Sequence, residues 1–252
     1  MMRSFILALT FLTRIPFPGR IADDQETRVQ ALSYYPLVGM VIGLFLVMFD
    51  QLFQGFFSAR ITNILLLAVL IYLTGGLHLD GFIDTIDGIF SNRKKERIIE
   101  IMHDSTVGAF GVVGVFLLLM LKFNLLLELA APFRGPALIL MTTTSRWLIV
   151  LALCRYPLAA GSKLARFYKE YLTWRQGVAA SILFLLITIL VCYWSRLPAY
   201  FVLSGLFFNL LLSRAFLAYI INKIAGITGD VLGALLELNE IIFLLMILLM
   251  QG

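Results

Sequence analysis

Charged residues are scarce in this sequence. Asp, Glu, Lys and Arg make up only 14% of the 252 residues, whereas 61% are hydrophobic and the mean hydropathy is +0.95. Soluble domains carry about 25% charged residues, so the composition excludes a soluble globular protein. At about 20 residues per span with short loops, the length allows six or seven helices. We expect an all-α, polytopic transmembrane helical bundle with about seven spans, in which residues 1–252 form one integral-membrane domain.

Cysteine and histidine are also rare. The two cysteines, Cys154 and Cys192, lie in or beside apolar runs. This placement supports neither a disulfide framework nor a thiolate metal site. With only His78 and His103 available as imidazole ligands, a zinc centre is not expected either.

The apolar runs and the positive charges between them predict the topology. Runs that could span a bilayer, or nearly so, are Leu37–Phe57, Ile61–Thr74, Ala109–Ala130, Pro136–Cys154, Val178–Trp194, Ala199–Ile221 and Val231–Met250. Lysine and arginine concentrate in alternate connections, while the other connections hold only Arg60, Arg134 and Arg196. By the positive-inside rule the amino terminus is cytoplasmic. The net charge of +5 thus reflects topology rather than nucleic-acid binding, and the short run Phe5–Leu12 should be a retained interfacial or partly buried helix.

Three carboxylates directly follow the second apolar run. If Gly75–Gly88 is helical, Asp80, Asp84 and Asp87 fall within roughly a 60° arc of one face. Like charges at this spacing destabilise a helix, so a bound cation is the first hypothesis and a solvated acidic face is the alternative. Carboxylate oxygens suit Mg²⁺ or Mn²⁺.

The residues that follow include groups that could bind phosphate. Ser91–Arg97 supplies cations, and Met102–Gly108 supplies Asp104 beside Ser105, with His103 as a residue that could assist proton transfer. A divalent metal, basic groups and glycines are the parts that phosphoryl transfer requires. Taken alone, however, the basic run is better explained as a positive-inside loop that contacts anionic lipid headgroups.

Charges also occur inside the apolar runs, where each is costly and normally faces a partner or cavity. Arg146, Arg214 and Glu237 lie roughly 10 Å below the proposed cytoplasmic surface, and Thr142–Ser145 leads to the first of them. The layer is either a polar cavity or a set of structural ion pairs such as Arg214 with Glu237. Both interpretations require that these charges face the bundle interior.

The topology predicts two further relationships. The segment Asp80–Asp104 and the turn Gly226–Asp230 fall on the same side of the membrane and could form one site. Lys122 falls in the outer half of its run, where we expect it to extend towards the interface or to pair with Glu128.

Several separated motifs, in order along nearly the whole chain, resemble those of cobalamin synthases, the adenosylcobinamide-GDP ribazoletransferases. The matching segments are Phe11–Pro16, Tyr35–Gly39, Gly75–Gly88, Ile101–Ser105, Gly108–Gly111, Ser145–Trp147, Ser213–Arg214, Gly226–Asp230 and Gly233–Glu237. Two positions depart from the family: His103 stands where lysine is frequent, and Thr106 where a basic residue is common.

The resemblance implies a Mg²⁺-dependent transferase, with Mn²⁺ as the other candidate ion, in a prokaryotic cytoplasmic membrane. Its substrates would be adenosylcobinamide-GDP and α-ribazole, or α-ribazole 5′-phosphate, with GMP released on the cytoplasmic side. Our hypothesis is that Asp80, Asp84, Asp87 and Asp104 hold the metal, with Asp84 and Asp104 catalytic. Substrate-binding residues would be Arg14, Arg93, Lys94, Ser105, Arg146, Arg214, Asp230 and Glu237.

Two other functions stay open at this point. A CDP-alcohol phosphatidyltransferase would carry an alanine and an arginine after the aspartate-glycine pair, and Asp87–Asn92 lacks both. A cation-coupled transporter would place its acidic residues near the membrane midplane, but these lie near one end. Lipid is an expected partner and nucleic acid is not. The sequence leaves open whether protomers associate with each other or with other corrinoid-assembly enzymes.

Overall fold

The structure is a computed structural model, which describes residues 2–19, 24–159, 162 and 171–251. In these residues the fold is helical, and an isolated bridge between Leu158 and Ile227 is the one extended pairing. The helices are α1 (Met2–Leu12), α2 (Gln25–Ala31), α3 (Tyr35–Gln54), α4 (Ala59–Thr74), α5 (Leu77–Phe90), α6 (Lys95–Met102), α7 (Ala109–Glu128), α8 (Ala131–Arg155), α9 (Trp174–Ser195), α10 (Ala199–Ile224) and α11 (Gly229–Gln251).

Six of these helices are long and apolar enough to cross a membrane: α3, α7, α8, α9, α10 and α11. The pair α4 and α5 would add a seventh span if it crosses as one unit, although it is bent by 92°. The prediction of an all-α bundle with six or seven spans is therefore confirmed. The amino-terminal helix α1 has 11 residues, too few to cross, and it packs against α2 and α3.

The bend between α4 and α5 is made by two consecutive glycines. Gly75 and Gly76 have φ angles of 65° and 73°, in the left-handed region that glycine adopts without a steric penalty. The Gly76 N–H donates to the Ile71 carbonyl at 3.1 Å and the Gly75 N–H to the Tyr72 carbonyl at 3.2 Å, which closes α4 in a Schellman motif. The acidic stretch consequently forms a separate helix and does not extend the second apolar run.

Helix α8 is the centre of the bundle and packs against α3, α9 and α11. Its contact with α3 is close because α3 presents Gly39 and Gly43 to it. A Cβ atom on Gly39 would lie 2.7 Å from the Thr143 Cα, and one on Gly43 would lie 2.5 Å from the Ile139 Cα. Small residues allow backbones to approach in this way where lipid provides no hydrophobic force between helices.

The bundle has two unlike ends. At one end the connections are short, and Arg134 of α8 joins neighbouring helices by hydrogen bonds to Asp50 of α3 at 2.8 Å and to Asn63 of α4. At the other end lie the connections 91–108 and 225–228, together with the described residues 13–19 after α1 and 156–159 after α8, and we call it the long-loop end. Gly81 of α5 contacts Asp230 of α11 there, so the two segments predicted to share one side do so.

We expect Gly39→Val to destabilise the fold by about 3 kcal/mol, because the added atoms meet backbone that cannot rotate away. Thermal unfolding of the detergent-purified protein would measure this. Gly135→Ala is the matched control, since its Cβ would lie an ordinary 3.9 Å from a Val47 methyl group. Equal unfolding temperatures for the two variants would contradict the close α3–α8 contact.

Candidate functional site

Four carboxylates gather at the long-loop end. Asp80, Asp84 and Asp87 lie along α5, and Asp230 joins them from the first turn of α11. The charges of the other three all act on Asp84, whose side chain is partly buried. We call this group the carboxylate cluster. It draws on two helices that are far apart in sequence.

Glycines at the contact of α5 with α11 bring Asp230 into the carboxylate cluster. A Cβ on Gly81 would lie 2.9 Å from the Asp230 Cα, and one on Gly233 would lie 3.0 Å from the His78 carbonyl oxygen. The two backbones therefore touch over one helical turn. Any larger residue at either position would push Asp230 away from α5.

Asp87 differs from the other members of the cluster because both of its oxygens have backbone partners. Its carboxylate accepts hydrogen bonds from the Gly108 N–H at 2.7 Å and from the Gly111 N–H at 2.8 Å. It thereby caps the amino terminus of α7, where the helix dipole favours a negative charge. Asp87 is placed to fix the loop 103–108 against α5.

Asp104 lies outside the cluster on the exposed loop after α6. Its Oδ1 accepts hydrogen bonds from the Thr106 N–H at 2.9 Å and the Thr106 hydroxyl at 2.7 Å. These bonds, assisted by the charge of Arg97, lower the pKa of Asp104. A lowered pKa makes a carboxylate a weaker proton acceptor, so the geometry favours Asp84 over Asp104 for that role.

Basic and hydroxyl side chains lie at the same end of the bundle as the carboxylate cluster. Arg14 lies at the bend before α5. Its backbone N–H donates to the Leu73 carbonyl at 2.7 Å, and a Cβ on Gly75 would lie 2.8 Å from the Nε of its side chain. The other members are exposed residues of the connections on either side of α6, namely Arg93, Lys94, His103 and Ser105. His103 is close enough for its charge to act on Asp230.

A second group of charges lies deeper in the bundle. Lys122 of α7 donates hydrogen bonds to Glu237 at 2.6 Å and Glu240 at 2.8 Å, and Arg146 of α8 pairs with Glu240 and with the Ser145 hydroxyl. We call the four charged side chains, all nine-tenths or more buried, the buried ion cluster. Arg146 and Glu237 are two of the residues predicted to bind substrate. In the structure Arg146 pairs with Glu240, and Glu237 pairs with Lys122.

Two predictions about these charges are wrong. Lys122 neither extends to the interface nor pairs with Glu128, because α11 presents two glutamates to it inside the bundle. Arg214 does not face the interior or pair with Glu237. The neighbouring Ser213 takes the inward position of α10, with its hydroxyl 2.9 Å from the Asn239 Oδ1, and the Arg214 side chain is exposed.

The sequence held one signal for the buried ion cluster that we did not use. Glu237 and Glu240 are three residues apart and therefore share one helix face. Two acids on one buried face require compensating cations from facing helices. Lys122 and Arg146 were the only such residues within the neighbouring apolar runs 109–130 and 136–154.

No preformed metal centre stands in the part of the chain that the structure describes, since no three acidic, histidine or cysteine side chains converge tightly enough to hold an ion. The oxygen donors are nevertheless of the kind that Mg²⁺ binds. Mg²⁺ commonly keeps several waters and uses one or two carboxylates together with substrate phosphates. The carboxylate cluster fits that mode better than a cage made by protein alone.

Comparison with known proteins covers almost the whole chain. A family model described as cobalamin-5-phosphate synthase matches residues 4–248. Adenosylcobinamide-GDP ribazoletransferase from Desulfitobacterium hafniense is 38% identical over 97% of this chain and 96% of its own. The enzyme of the same name from Desulforamulus reducens is 39% identical over 100% and 98%, and that from Brevibacillus brevis is 35% identical over 98% of both chains. No solved structure matches. The chain therefore belongs to the cobalamin-5-phosphate synthase family.

Proposed function

We propose that this protein is a metal-dependent phosphotransferase that carries out the last assembly step of cobalamin. It transfers the corrinoid phosphate of adenosylcobinamide-GDP to α-ribazole, or to α-ribazole 5′-phosphate, and releases GMP. The observation that carries the proposal is that Asp80 of α5 and Asp230 of α11 lie within electrostatic reach of Asp84, at the end of the bundle that also holds exposed basic side chains. Family membership supports the identity of the reaction, and this geometry supports the carboxylate cluster as its site.

The donor set fits a divalent cation. Asp80, Asp84 and Asp230 would hold Mg²⁺ or Mn²⁺, because their clustered negative charges repel one another without one. Asp87 of α5 would support the group by holding the start of α7 through its two hydrogen bonds. Asp104 lies apart from the group on its loop. When bound, such an ion supplies neutralisation of the charge on a pyrophosphate.

The chain's own residues would bind the substrates and move one proton. Arg14, Arg93 and Lys94 would contact the pyrophosphate, with Ser105 as a hydroxyl donor at the same end. Asp84 would accept the proton of the ribose hydroxyl of α-ribazole as that oxygen attacks the phosphorus next to the corrinoid side chain. The bond from this phosphorus to the bridging oxygen breaks, and GMP departs with the electron pair.

The alternatives explain less. A CDP-alcohol phosphatidyltransferase is not favoured, because the relatives that match along the full chain carry the ribazoletransferase name. An ion-coupled transporter would need free acidic groups near the midplane. The deep acids Glu237 and Glu240 are instead paired with Lys122 and Arg146.

Orientation follows from charge. The long-loop end holds most of the lysine and arginine outside the spans, and the short-loop end holds Arg60, Arg134 and Arg196. The positive-inside rule then places the carboxylate cluster on the cytoplasmic face of a prokaryotic inner membrane. Water-soluble nucleotide and ribazole would reach the cluster from that side.

Asp84→Asn should lower GMP release on the order of a thousandfold, because it removes both the central metal ligand and the proton acceptor. The assay measures GMP from the purified protein with adenosylcobinamide-GDP, α-ribazole and Mg²⁺. Glu100→Gln, at an ion pair with Arg97 that is mostly exposed, is the control and should retain activity. EDTA should stop the unmodified protein and added Mg²⁺ should restore it. Full activity of Asp84→Asn, or of the chelated enzyme, would refute the metal site.

The different surroundings of two aspartates predict opposite effects on stability. Asp87→Asn should lose about 1–3 kcal/mol, since an amide NH₂ would face one of the Gly108 or Gly111 N–H donors and leave it unpaired. Asp84→Asn should raise the unfolding temperature without metal by relieving repulsion. Thermal unfolding in EDTA tests both: an unchanged unfolding temperature of Asp87→Asn would contradict its capping role, and a fall for Asp84→Asn would contradict the repulsion among the carboxylates.

Orientation can be tested by labelling with a membrane-impermeant maleimide in a background with Cys154→Ala and Cys192→Ala. Glu100→Cys lies at the long-loop end and Ser58→Cys at the other, and both positions are exposed. Intact cells with a permeabilised outer envelope should label Ser58→Cys, and inverted vesicles Glu100→Cys. The reverse pattern would place the carboxylate cluster outside the cytoplasm.

A further inference from the structure

The buried ion cluster joins three helices in a neutral group. Lys122 of α7 and Arg146 of α8 supply two positive charges, and Glu237 and Glu240 of α11 supply two negative ones. Every carboxylate has a cationic partner within hydrogen-bonding distance. The group therefore fixes α11 against two of its neighbours, α7 and α8, at one depth.

The same face of α11 carries the buried ion cluster and Asp230. Glu237 follows Asp230 by seven residues, which is two turns and about 10 Å along the helix. Residues at this spacing lie on one face. A rotation of α11 about its axis would thus move the Glu237 and Asp230 carboxylates together.

Helix α5 touches α11 over the first part of the interval between these two residues. Gly81 meets the Asp230 backbone, and the His78 backbone meets Gly233 one turn further along α11. The His78 side chain is 4% exposed and lies within the electrostatic reach of Arg146, Glu240 and Lys122. The start of α5 therefore lies between the carboxylate cluster and the buried ion cluster.

We propose that Lys122 and Glu237 are positioning residues for the transfer reaction: their ion pair sets the rotation of α11 that directs Asp230 towards Asp80 and Asp84. The proposal rests on the proposed role of the carboxylate cluster. Neither residue touches substrate in this scheme. They act through Asp230, on the helix that Glu237 shares with it.

The membrane is the reason why the ion pair matters for the rotation of α11. A helix surrounded by acyl chains gains little from turning one apolar face rather than another towards its neighbours. Rotation must then be specified by small residues and polar contacts. Gly233 sets how closely α11 approaches α5, and the buried ion pair of Lys122 with Glu237 adds a directional constraint on rotation two turns further along α11.

The decisive variant is Glu237→Asp, which keeps the charge and shortens the side chain by one methylene. To keep its bond to Lys122, α11 must turn or shift, and a misplacement of about 1 Å can cost about a hundredfold in rate. We expect kcat to fall ten- to a hundredfold with KM for adenosylcobinamide-GDP unchanged, measured per folded protein in the monodisperse fraction. A loss confined to kcat identifies a change in the reacting geometry rather than in ground-state binding.

Asp50→Glu is the matched control. It changes an acid by one methylene in the Arg134 ion pair, whose side chains are 11% and 8% exposed at the opposite end of the bundle. It should alter the unfolding temperature while kcat and KM stay at the values of the unmodified protein. A similar effect of both variants on kcat would mean that any internal strain slows the enzyme, and would overturn the proposal.

Two further outcomes separate the claims. Folded Glu237→Asp with an unchanged kcat, beside an inactive Asp84→Asn, overturns the positioning role and leaves the carboxylate cluster as the site. Full activity of Asp84→Asn instead refutes the proposed site itself. If Glu237→Asp does not accumulate as folded protein, Lys122→Arg alters the same pair with its charge kept, and an unchanged kcat there also overturns the proposal.

Discussion

The contact between α5 and α11 is the constraint on which the rest of this structure depends. Two glycines, Gly81 and Gly233, bring the backbones together closely enough for Asp230 to stand among the aspartates of α5. Such an approach has a cost, because it concentrates negative charge at one place. The surrounding structure limits that cost in two ways. Two backbone N–H groups donate hydrogen bonds to Asp87, and basic loops lie at the same end.

The two charge clusters differ in how the protein compensates their negative charges. Below the long-loop end, where water is excluded, each glutamate has a cation within the protein. At the long-loop end, Asp80 and Asp84 have no ion pair among the described residues, and their side chains are exposed or partly buried. The glutamates inside the bundle are therefore compensated by the protein itself, whereas the described residues form no ion pair with Asp80 or Asp84. This difference, more than the number of acids, distinguishes a structural group from a site.

Much of this arrangement could be predicted from the sequence. Composition alone indicated a polytopic bundle, and the alternation of positive loops placed Asp230 at the same end as Asp84. The bend at Gly75 could not be predicted in the same way, and the partners of Lys122 follow only when the shared helix face of Glu237 and Glu240 is taken into account. Hydropathy measures only how apolar a run is, and it does not report which face of α7 turns towards α11. Arg214 shows the same limit, because the choice between it and Ser213 for the inward position depends on how α10 packs against α11.

The division of labour among the aspartates of α5 follows from what each side chain already binds. Both oxygens of Asp87 accept hydrogen bonds from the start of α7. A metal bound by Asp87 would therefore have to share these oxygens with the Gly108 and Gly111 N–H donors. Asp80 is exposed, whereas Asp84 lies between it, Asp87 and Asp230 and experiences the charge of all three. Of the three, Asp84 is the one on which the charges of the other carboxylates act, and it is therefore the centre of the site that we propose. Spacing along one helix face made these residues look equivalent; their partners from α7 and α11 make them different.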